Sequence, residues 1–311
     1  MKKFCINTLC FAVAVFLSLI VIGAAFPYNP DGFVREQLAK DDFLSRADRE
    51  PYIVLCGGSN VAFGYDCDLI MNSLQRSVYN NGVHAGIGLK FILDNTARNL
   101  RKGDILIISP EYSQFYGDEY FGHQPMTDLV YLNFGEYSKI LSLKQWWAVA
   151  NFTPMSIMSR ISYTASTIVG GQTDNVYCKS GFNSNGDLVG YRSLPSKEIP
   201  VKTAAFQNFN EESFECFVRT LKEIEQKGVT VLLYPPPVYD KRFEVLKVNA
   251  DELALRLSEA GYPFICLPDD CTYGKEKFFD TAYHLNKDGA EQNSLHLTRL
   301  LEQGNDIWKK N

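Results

Sequence analysis

The sequence predicts an α/β fold: a parallel sheet covered by helices on both faces. Three observations carry this. Five short apolar runs are spread along the chain, each of strand length and too continuously apolar to alternate between core and water. Stretches with helical periodicity separate them. The helical stretches of the C-terminal third close at glycines, Gly228, Gly261 and Gly304.

The chain begins outside this pattern. Lys2 and Lys3 precede an uncharged, mostly apolar run over 9–26, which Pro27 and Pro30 end. Its 18 residues approach the roughly 20 that span a bilayer and exceed the apolar core of about 7–15 in a secretory signal. Residues 1–26 therefore read as an N-terminal transmembrane anchor, with a cleaved signal through Gly23-Ala24-Ala25 or a buried core helix as the alternatives. In either of the first two cases the lysines stay in the cytoplasm and the rest lies outside it. Residues 27–50, with Asp31, Arg35, Glu36, Lys40, Asp41 and Asp42, read as a polar tether.

The domain proper starts at 51. Residues 52–56 form the first strand, ending at Gly57-Gly58-Ser59-Asn60. A short helix over 68–75 follows, with Asp66 or Asp68 near its start. Residues 77–80 are the second strand, ending in Asn80-Asn81-Gly82. Residues 89–100 form a helix with Leu89, Ile92, Leu93, Thr96 and Leu100 on one face. Residues 104–108 are the third strand, closed by Ser109-Pro110. The rhythm then breaks. From about 113 to 206 the chain is rich in tyrosine, carries Trp146-Trp147, and has a Gly/Asn-rich stretch from Gly170 to Gly190 with a hairpin signal at Asn185-Gly186. This is an insertion with its own helices and a β-hairpin, long enough to be ordered and functional. Alternation resumes with a helix over 210–227 capped by Asn210 or Glu211, a strand over 229–234 halted by Pro235-Pro236-Pro237, a helix over 245–260, a strand over 263–267 and a last helix over 288–302.

Composition excludes several classes. With a net charge of −5 and no Lys/Arg block, nucleic acid is not an expected partner. No Walker lysine follows the first strand and no G-x-G-x-x-G is present, which argues against nucleotide or flavin binding. No cofactor is expected, and no cysteine or Cys/His spacing suits zinc. Eight cysteines are present. Cys5 and Cys10 lie in the N-terminal segment; the other six allow many pairings, with Cys266 and Cys271 near enough in sequence for a local bridge and buried free thiols as the alternative.

Ligands of an open parallel sheet bind beyond the C-terminal ends of its strands. Ser59 lies there, after glycines that allow a tight turn. A serine hydroxyl needs a base, and four histidines exist: His84, His123, His284 and His296. His284 precedes the last helix at the same edge, with Asp280 four residues earlier to fix its tautomer. His84 is the rival base; His296 reads as a packed or exposed helical residue. Asn286 and Asp288 are candidate caps of the last helix. For an oxyanion the backbone N–H of Ser59 is one donor, and Gly82 or Gly86 a second.

These segments, Gly57-Gly58-Ser59-Asn60, Asn81-Gly82 with Gly86, and Asp280…His284-Leu285-Asn286…Gly289, resemble the SGNH/GDSL hydrolase superfamily, and within it the membrane-anchored DltD-like and alginate-acetylation-like bacterial proteins. The resemblance covers roughly residues 50–115 and 205–303. It implies a flavodoxin-like α/β/α sandwich with five parallel strands in the order 2-1-3-4-5, Ser59 as nucleophile, His284 as general base, Asp280 as its orienter, and Gly82 or Gly86 as oxyanion glycine. Two departures stand out. The Asp–His spacing is four where the family usually has three. The family's Gly-x-Asn-Asp is replaced by Ser109-Pro110-Glu111-Tyr112, leaving Asn60 as the candidate substitute for the oxyanion asparagine.

The expected function is an extracytoplasmic serine esterase or O-acyltransferase working on acyl esters of a cell-surface glycan. Trp146, Trp147, Tyr112, Tyr116 and Tyr120 would form a carbohydrate platform or, alternatively, a small core packed on the sheet. The anchor and the resemblance imply a membrane-bound O-acyltransferase as partner. The contrasting expectation is a non-catalytic accessory protein on the same fold.

Overall fold

The structure is a computed structural model that describes residues 1–46, 48–171 and 176–304. In chain order the elements are α1 (Lys2–Ala24), α2 (Glu36–Ser45), β1 (Ile53–Gly57), α3 (Ser59–Ala62), α4 (Cys67–Leu74), β2 (Val78–Asn80), α5 (Leu89–Asn99) and β3 (Ile105–Ser109). The insertion contributes α6 (Gln124–Leu132), α7 (Phe134–Tyr137) and α8 (Leu143–Ile168). Then come α9 (Glu211–Glu225), β4 (Thr230–Leu233), β5 (Val238–Tyr239), α10 (Asp240–Glu259), β6 (Thr272–Tyr273) and α11 (Lys287–Gln303).

Four strands form one parallel sheet in the order β2-β1-β3-β4. The central strands β1 and β3 are buried along their whole length, as their unbroken apolar sequences require. Alternate residues of β1 serve opposite faces. Val54 and Cys56 join a core with Phe91 and Leu93 of α5, Phe217 and Leu221 of α9, and Leu253 of α10. Ile53 and Leu55 join a second core with Ile70 of α4 and Leu297 and Leu301 of α11. The helices thus cover both faces of the sheet.

The expected fifth strand is corrected by the structure. Residues 263–267 lie beside β4 but make only the single parallel bridge Leu233↔Phe264, with the Ile265 N–H donating to the Leu233 carbonyl at 2.9 Å. Pro263 and Pro268 bracket the segment and lack the N–H groups a ladder needs. A small second sheet, unforeseen from sequence, pairs β5 with β6 in parallel.

The N-terminal run folds as the helix α1, whose end packs on α8. A Cβ on Gly23 would meet Ile157 at 2.8 Å, and Arg160 donates to the Phe26 carbonyl at 2.8 Å. Among the described residues no helix is long and apolar enough to cross a membrane. Residues 27–50 are not a free tether. After a 3-10 turn at Phe33–Arg35, α2 packs on α5, and its Lys40 is fully buried. Arg49 holds the buried Asp104 in a two-bond fork at 2.6 and 2.8 Å, and the same carboxylate accepts the Tyr52 N–H at 2.9 Å. Lys40 and Arg49 serve buried partners, while Asp42 and Arg46 face water.

In the insertion, the hairpin expected at Asn185-Gly186 reduces to one antiparallel bridge, Phe182↔Leu188, turned at Gly186 with φ 81°. Residues 172–175 of the Gly/Asn-rich stretch lie outside the described residues. Among the described residues every cysteine is free; the Cys266 and Cys271 sulfurs stand 3.7 Å apart, too far for the expected local bridge.

Candidate active site

β1 delivers Ser59 to the C-terminal edge of the sheet through two glycines that no other residue fits. A Cβ on Gly57 would lie 2.6 Å from the Ser109 carbonyl of β3. One on Gly58 would lie 2.8 Å from the Ala85 Cα and 2.9 Å from its nitrogen. The turn is therefore pressed between the end of β3 and the loop after β2. Ser59 opens α3, and as a first-turn residue its N–H has no acceptor within the helix.

His284 is placed by a closed turn before α11. The Phe279 N–H donates to the His284 carbonyl at 2.8 Å, and Thr281 Oγ1 accepts the N–H of Tyr283 at 3.2 Å and of His284 at 3.1 Å. This turn absorbs the four-residue spacing and sets Asp280 Oδ1 2.8 Å from His284 Nδ1. Tyr177 donates to the other carboxylate oxygen at 2.6 Å. Burial pushes the Asp280 carboxyl up, but the hydrogen bonds from His284 and Tyr177 outweigh it and hold the group below its ordinary value. Asn286 caps α11, its Oδ1 accepting the Gly289 N–H at 3.0 Å, and also donates to the Glu276 carbonyl at 2.7 Å. Asn286→Ala is expected to lower unfolding free energy by about 1 kcal/mol in urea titration, since it removes a cap.

The two halves of the site meet through Phe63. Its N–H donates to the Ser59 carbonyl at 2.9 Å. Its ring lies flat on the His284 imidazole, with centroids 4.1 Å apart and planes 6° from parallel. Among the described residues no hydrogen bond joins Ser59 Oγ to His284. Nδ1 is engaged with Asp280, so Nε2 is the nitrogen left to take a proton.

The expected oxyanion residues fare less well. The Gly82 N–H donates to Asn80 Oδ1 at 2.9 Å and the Gly86 N–H to His84 Nδ1 at 2.9 Å, so neither is free. Asn60 directs its amide N–H groups to the Ser109 carbonyl at 2.9 Å and the Ser109 hydroxyl at 3.2 Å. It braces β3 instead of facing a ligand. The residue whose main chain abuts the Ser59 turn is Ala85. Its identity hid it from a search for glycines.

His84, the rival base, has Nδ1 committed to Gly86. Burial, then His284 and His123, pushes its imidazole down to about 4, so it is neutral at physiological pH. His296 bonds the Tyr234 hydroxyl at 3.1 Å on α11, a packed helical residue.

Glu111 belongs to the site although its sequence context does not single it out. It follows β3 and Pro110, and its Oε1 lies 3.5 Å from both Ser59 Oγ and the Asn60 nitrogen. Burial, reinforced by the charge of Glu119, pushes the carboxyl up to about 8. The position was legible, since a carboxyl two residues past a strand end sits where ligands bind; a search for an amide passed over it. A group protonated to about 8 in the folded chain, against an ordinary 4.5, leaves the folded state with the extra proton between those values. Stability from this group is therefore present below 4.5 and lost as pH rises through 8. Urea titrations from pH 5 to 9 are expected to show that decline, and Glu111→Gln is expected to flatten it.

Of the proposed aromatic platform, Tyr112, Tyr116 and Tyr120 are buried core. Trp146 packs edge-on against Phe134. Trp147, 70% exposed, lines a cleft of about 370 Å³ with Phe121, His123, Lys144 and Phe152. The His123 N–H donates to the Gly86 carbonyl at 2.8 Å, which ties this cleft to the loop beside Ser59. A cleft of about 560 Å³ lies elsewhere, between β4 and residues 261–265, away from these groups. Among the described residues no group of His, Cys, Asp and Glu is arranged to hold a metal ion. In comparisons with known proteins no family model matches the chain and no curated protein does, so what the site can do rests on its own geometry.

Proposed function

We propose that this protein is a serine esterase or O-acyltransferase, with Ser59 as nucleophile, His284 as general base and Asp280 as the group that fixes the imidazole. The observation that carries the reading is the Asp280–His284 hydrogen bond at 2.8 Å, stacked on a phenylalanine from the same turn as Ser59. A carboxylate on Nδ1 leaves Nε2 unprotonated and able to accept a hydroxyl proton.

In this reaction Ser59 Oγ bonds to the ester carbonyl carbon as its proton passes to His284 Nε2. Collapse of the tetrahedral intermediate breaks the bond to the alcohol, which leaves with that proton. Water or a sugar hydroxyl then attacks the acyl-serine, giving its proton to His284, and Ser59 departs with it. Hydrolysis and transfer differ only in this last acceptor. The Trp147 cleft favours a glycan as the alcohol or acceptor, because an exposed indole stacks on sugar rings. The resemblance to SGNH/GDSL hydrolases supports the same reading, as does a parallel sheet in the order 2-1-3-4. In this proposal the uncharged run behind Lys2 and Lys3 sends the domain out of the cytoplasm, where a membrane-bound O-acyltransferase would supply the acyl group.

The test is a fluorophosphonate probe on the full chain, on Ser59→Ala and on His284→Ala, read by intact mass. The expected result is one adduct at Ser59, absent from Ser59→Ala and strongly slowed in His284→Ala. The second reading, a non-catalytic accessory protein, is favoured by the lack of a Ser59–His284 hydrogen bond among the described residues. An unlabelled but folded wild-type protein decides for it.

A further inference from the structure

Glu111 has no part in the proton path from Ser59 to Asp280, yet among the described residues it is the one side chain that hydrogen-bonds Ser59 Oγ. Its position is fixed from behind: Pro110 limits the backbone before it, and Asn60 grips both the carbonyl and the hydroxyl of Ser109. Among the described residues no lysine, arginine or histidine pairs with it, and the charge nearest enough to matter is another carboxylate, Glu119. A carboxyl so placed carries its proton at neutral pH.

The neighbours decide which oxygen carries that proton. The Asn60 N–H points at Oε1 and requires an acceptor there, and the Ser59 hydroxyl approaches the same atom. Oε1 is therefore the carbonyl-type oxygen and Oε2 bears the hydrogen. Oε2 makes no hydrogen bond among the described residues. An acid with a hydrogen to donate and no protein acceptor for it among the described residues, beside a nucleophile, matches what a developing oxyanion lacks. The other candidate donors are the backbone N–H groups of Ser59 and of Ala85, whose nitrogen lies against the Gly58 turn.

We propose that the Glu111 carboxyl donates a hydrogen bond to the oxyanion formed when Ser59 attacks an ester carbonyl. The inference rests on the esterase reading. Negative charge appears on the carbonyl oxygen as the Oγ–carbon bond forms. Glu111 keeps its proton throughout, and the hydrogen bond relaxes when the carbonyl reforms. The Ser59 proton goes to His284, because a protonated acid cannot accept it.

The experiment is hydrolysis of p-nitrophenyl acetate by the full chain from pH 5.5 to 9.5, with wild type, Glu111→Gln, Glu111→Ala and Ser59→Ala in parallel. Wild-type kcat is expected to fall as pH rises through about 8. Glutamine keeps an N–H at the same place. Glu111→Gln is expected to lose less than about tenfold in kcat and to lose the alkaline decline. Glu111→Ala is expected to lose roughly 10²–10³-fold in kcat with KM little changed. A residue that only packs would not move the alkaline limb. If Glu111→Gln is as inactive as Glu111→Ala, Glu111 is a base and the proposal falls. It falls too if the alkaline limb persists in Glu111→Gln, or if both variants match wild type. A wild type no faster than Ser59→Ala overturns the esterase reading and this inference with it, a failure visible before any Glu111 variant is compared. Should Glu111→Ala not fold, the glutamine variant and its pH profile carry the test alone.

Discussion

Asp280→Asn is expected to cut kcat on an activated ester by roughly 10³–10⁴-fold while the protein stays folded. The size follows from hydrogen-bond bookkeeping at two oxygens. Oδ1 faces His284 Nδ1 at 2.8 Å and Oδ2 accepts the Tyr177 hydroxyl at 2.6 Å. An asparagine must offer its NH₂ group to one of them. Turned towards His284, it requires Nδ1 to be unprotonated, which puts the hydrogen on Nε2 and removes the base. Turned towards Tyr177, it requires that hydroxyl to accept where it had donated and to send its own hydrogen elsewhere, which disfavours this orientation. Nor does the amide carry the negative charge that stabilises imidazolium during proton transfer. The fold has little reason to change, since Phe63 stacking and the 279–284 turn do not involve the carboxylate. Ester hydrolysis with a matched thermal-denaturation curve checks it; activity within tenfold of wild type would show that Asp280 does not set the tautomer.

That sequence places Asp280, His284 and Ser59 at one edge of the sheet has a physical cause. Each sits at the end of an apolar run or the start of a capped helix, and the α/β pattern brings such ends to one edge. The same logic located α4, α9 and α11, whose caps Asp66, Asn210 and Asn286 are each one of the two candidates read from sequence. The donors were a different matter. Whether a backbone N–H is free depends on what lies next to it in space, and Gly82 and Gly86 are both engaged by side chains two residues back. Ala85 matters through its main chain, which leaves no trace in composition. Glu111 does not stand out in a reading that looks for an amide at this position, and the burial beside Glu119 that raises its pKa is invisible in sequence. The fifth strand failed for a local reason, prolines at both ends of a short run. The polar stretch 27–50 failed for a long-range one: nothing in a row of charges says that its lysine and arginine end inside the protein.

Lys40 shows the consequence, and its loss is expected to be the most destabilising substitution outside the cores. Its ammonium donates to the carbonyls of Asn80, Gly82 and Gly186 at 2.7, 2.8 and 2.7 Å, one hydrogen for each. Asn80 and Gly82 begin the loop that runs on to His84, Ala85 and Gly86; Gly186 turns the strand-like bridge of the insertion. Asp187, beside that turn, receives the Asn80 amide at 2.9 Å and the Cys67 N–H at 2.8 Å, and its charge together with that of Glu36 faces the ammonium. Lys40→Met fills much of the same space and removes all three donors. Three buried carbonyls then lack partners at about 1–3 kcal/mol each, partly relieved by entering water, so a net loss of about 3–6 kcal/mol is expected. For a domain of this size that lowers the melting temperature by roughly 5–15 °C. Calorimetry and urea unfolding would measure it. Because the loop after β2 abuts Gly58, the variant is also expected to lose ester turnover at temperatures where it remains folded. A loss under 1 kcal/mol would mean that water replaces the ammonium at no cost, and that the segment before β1 is attached to the site without supporting it.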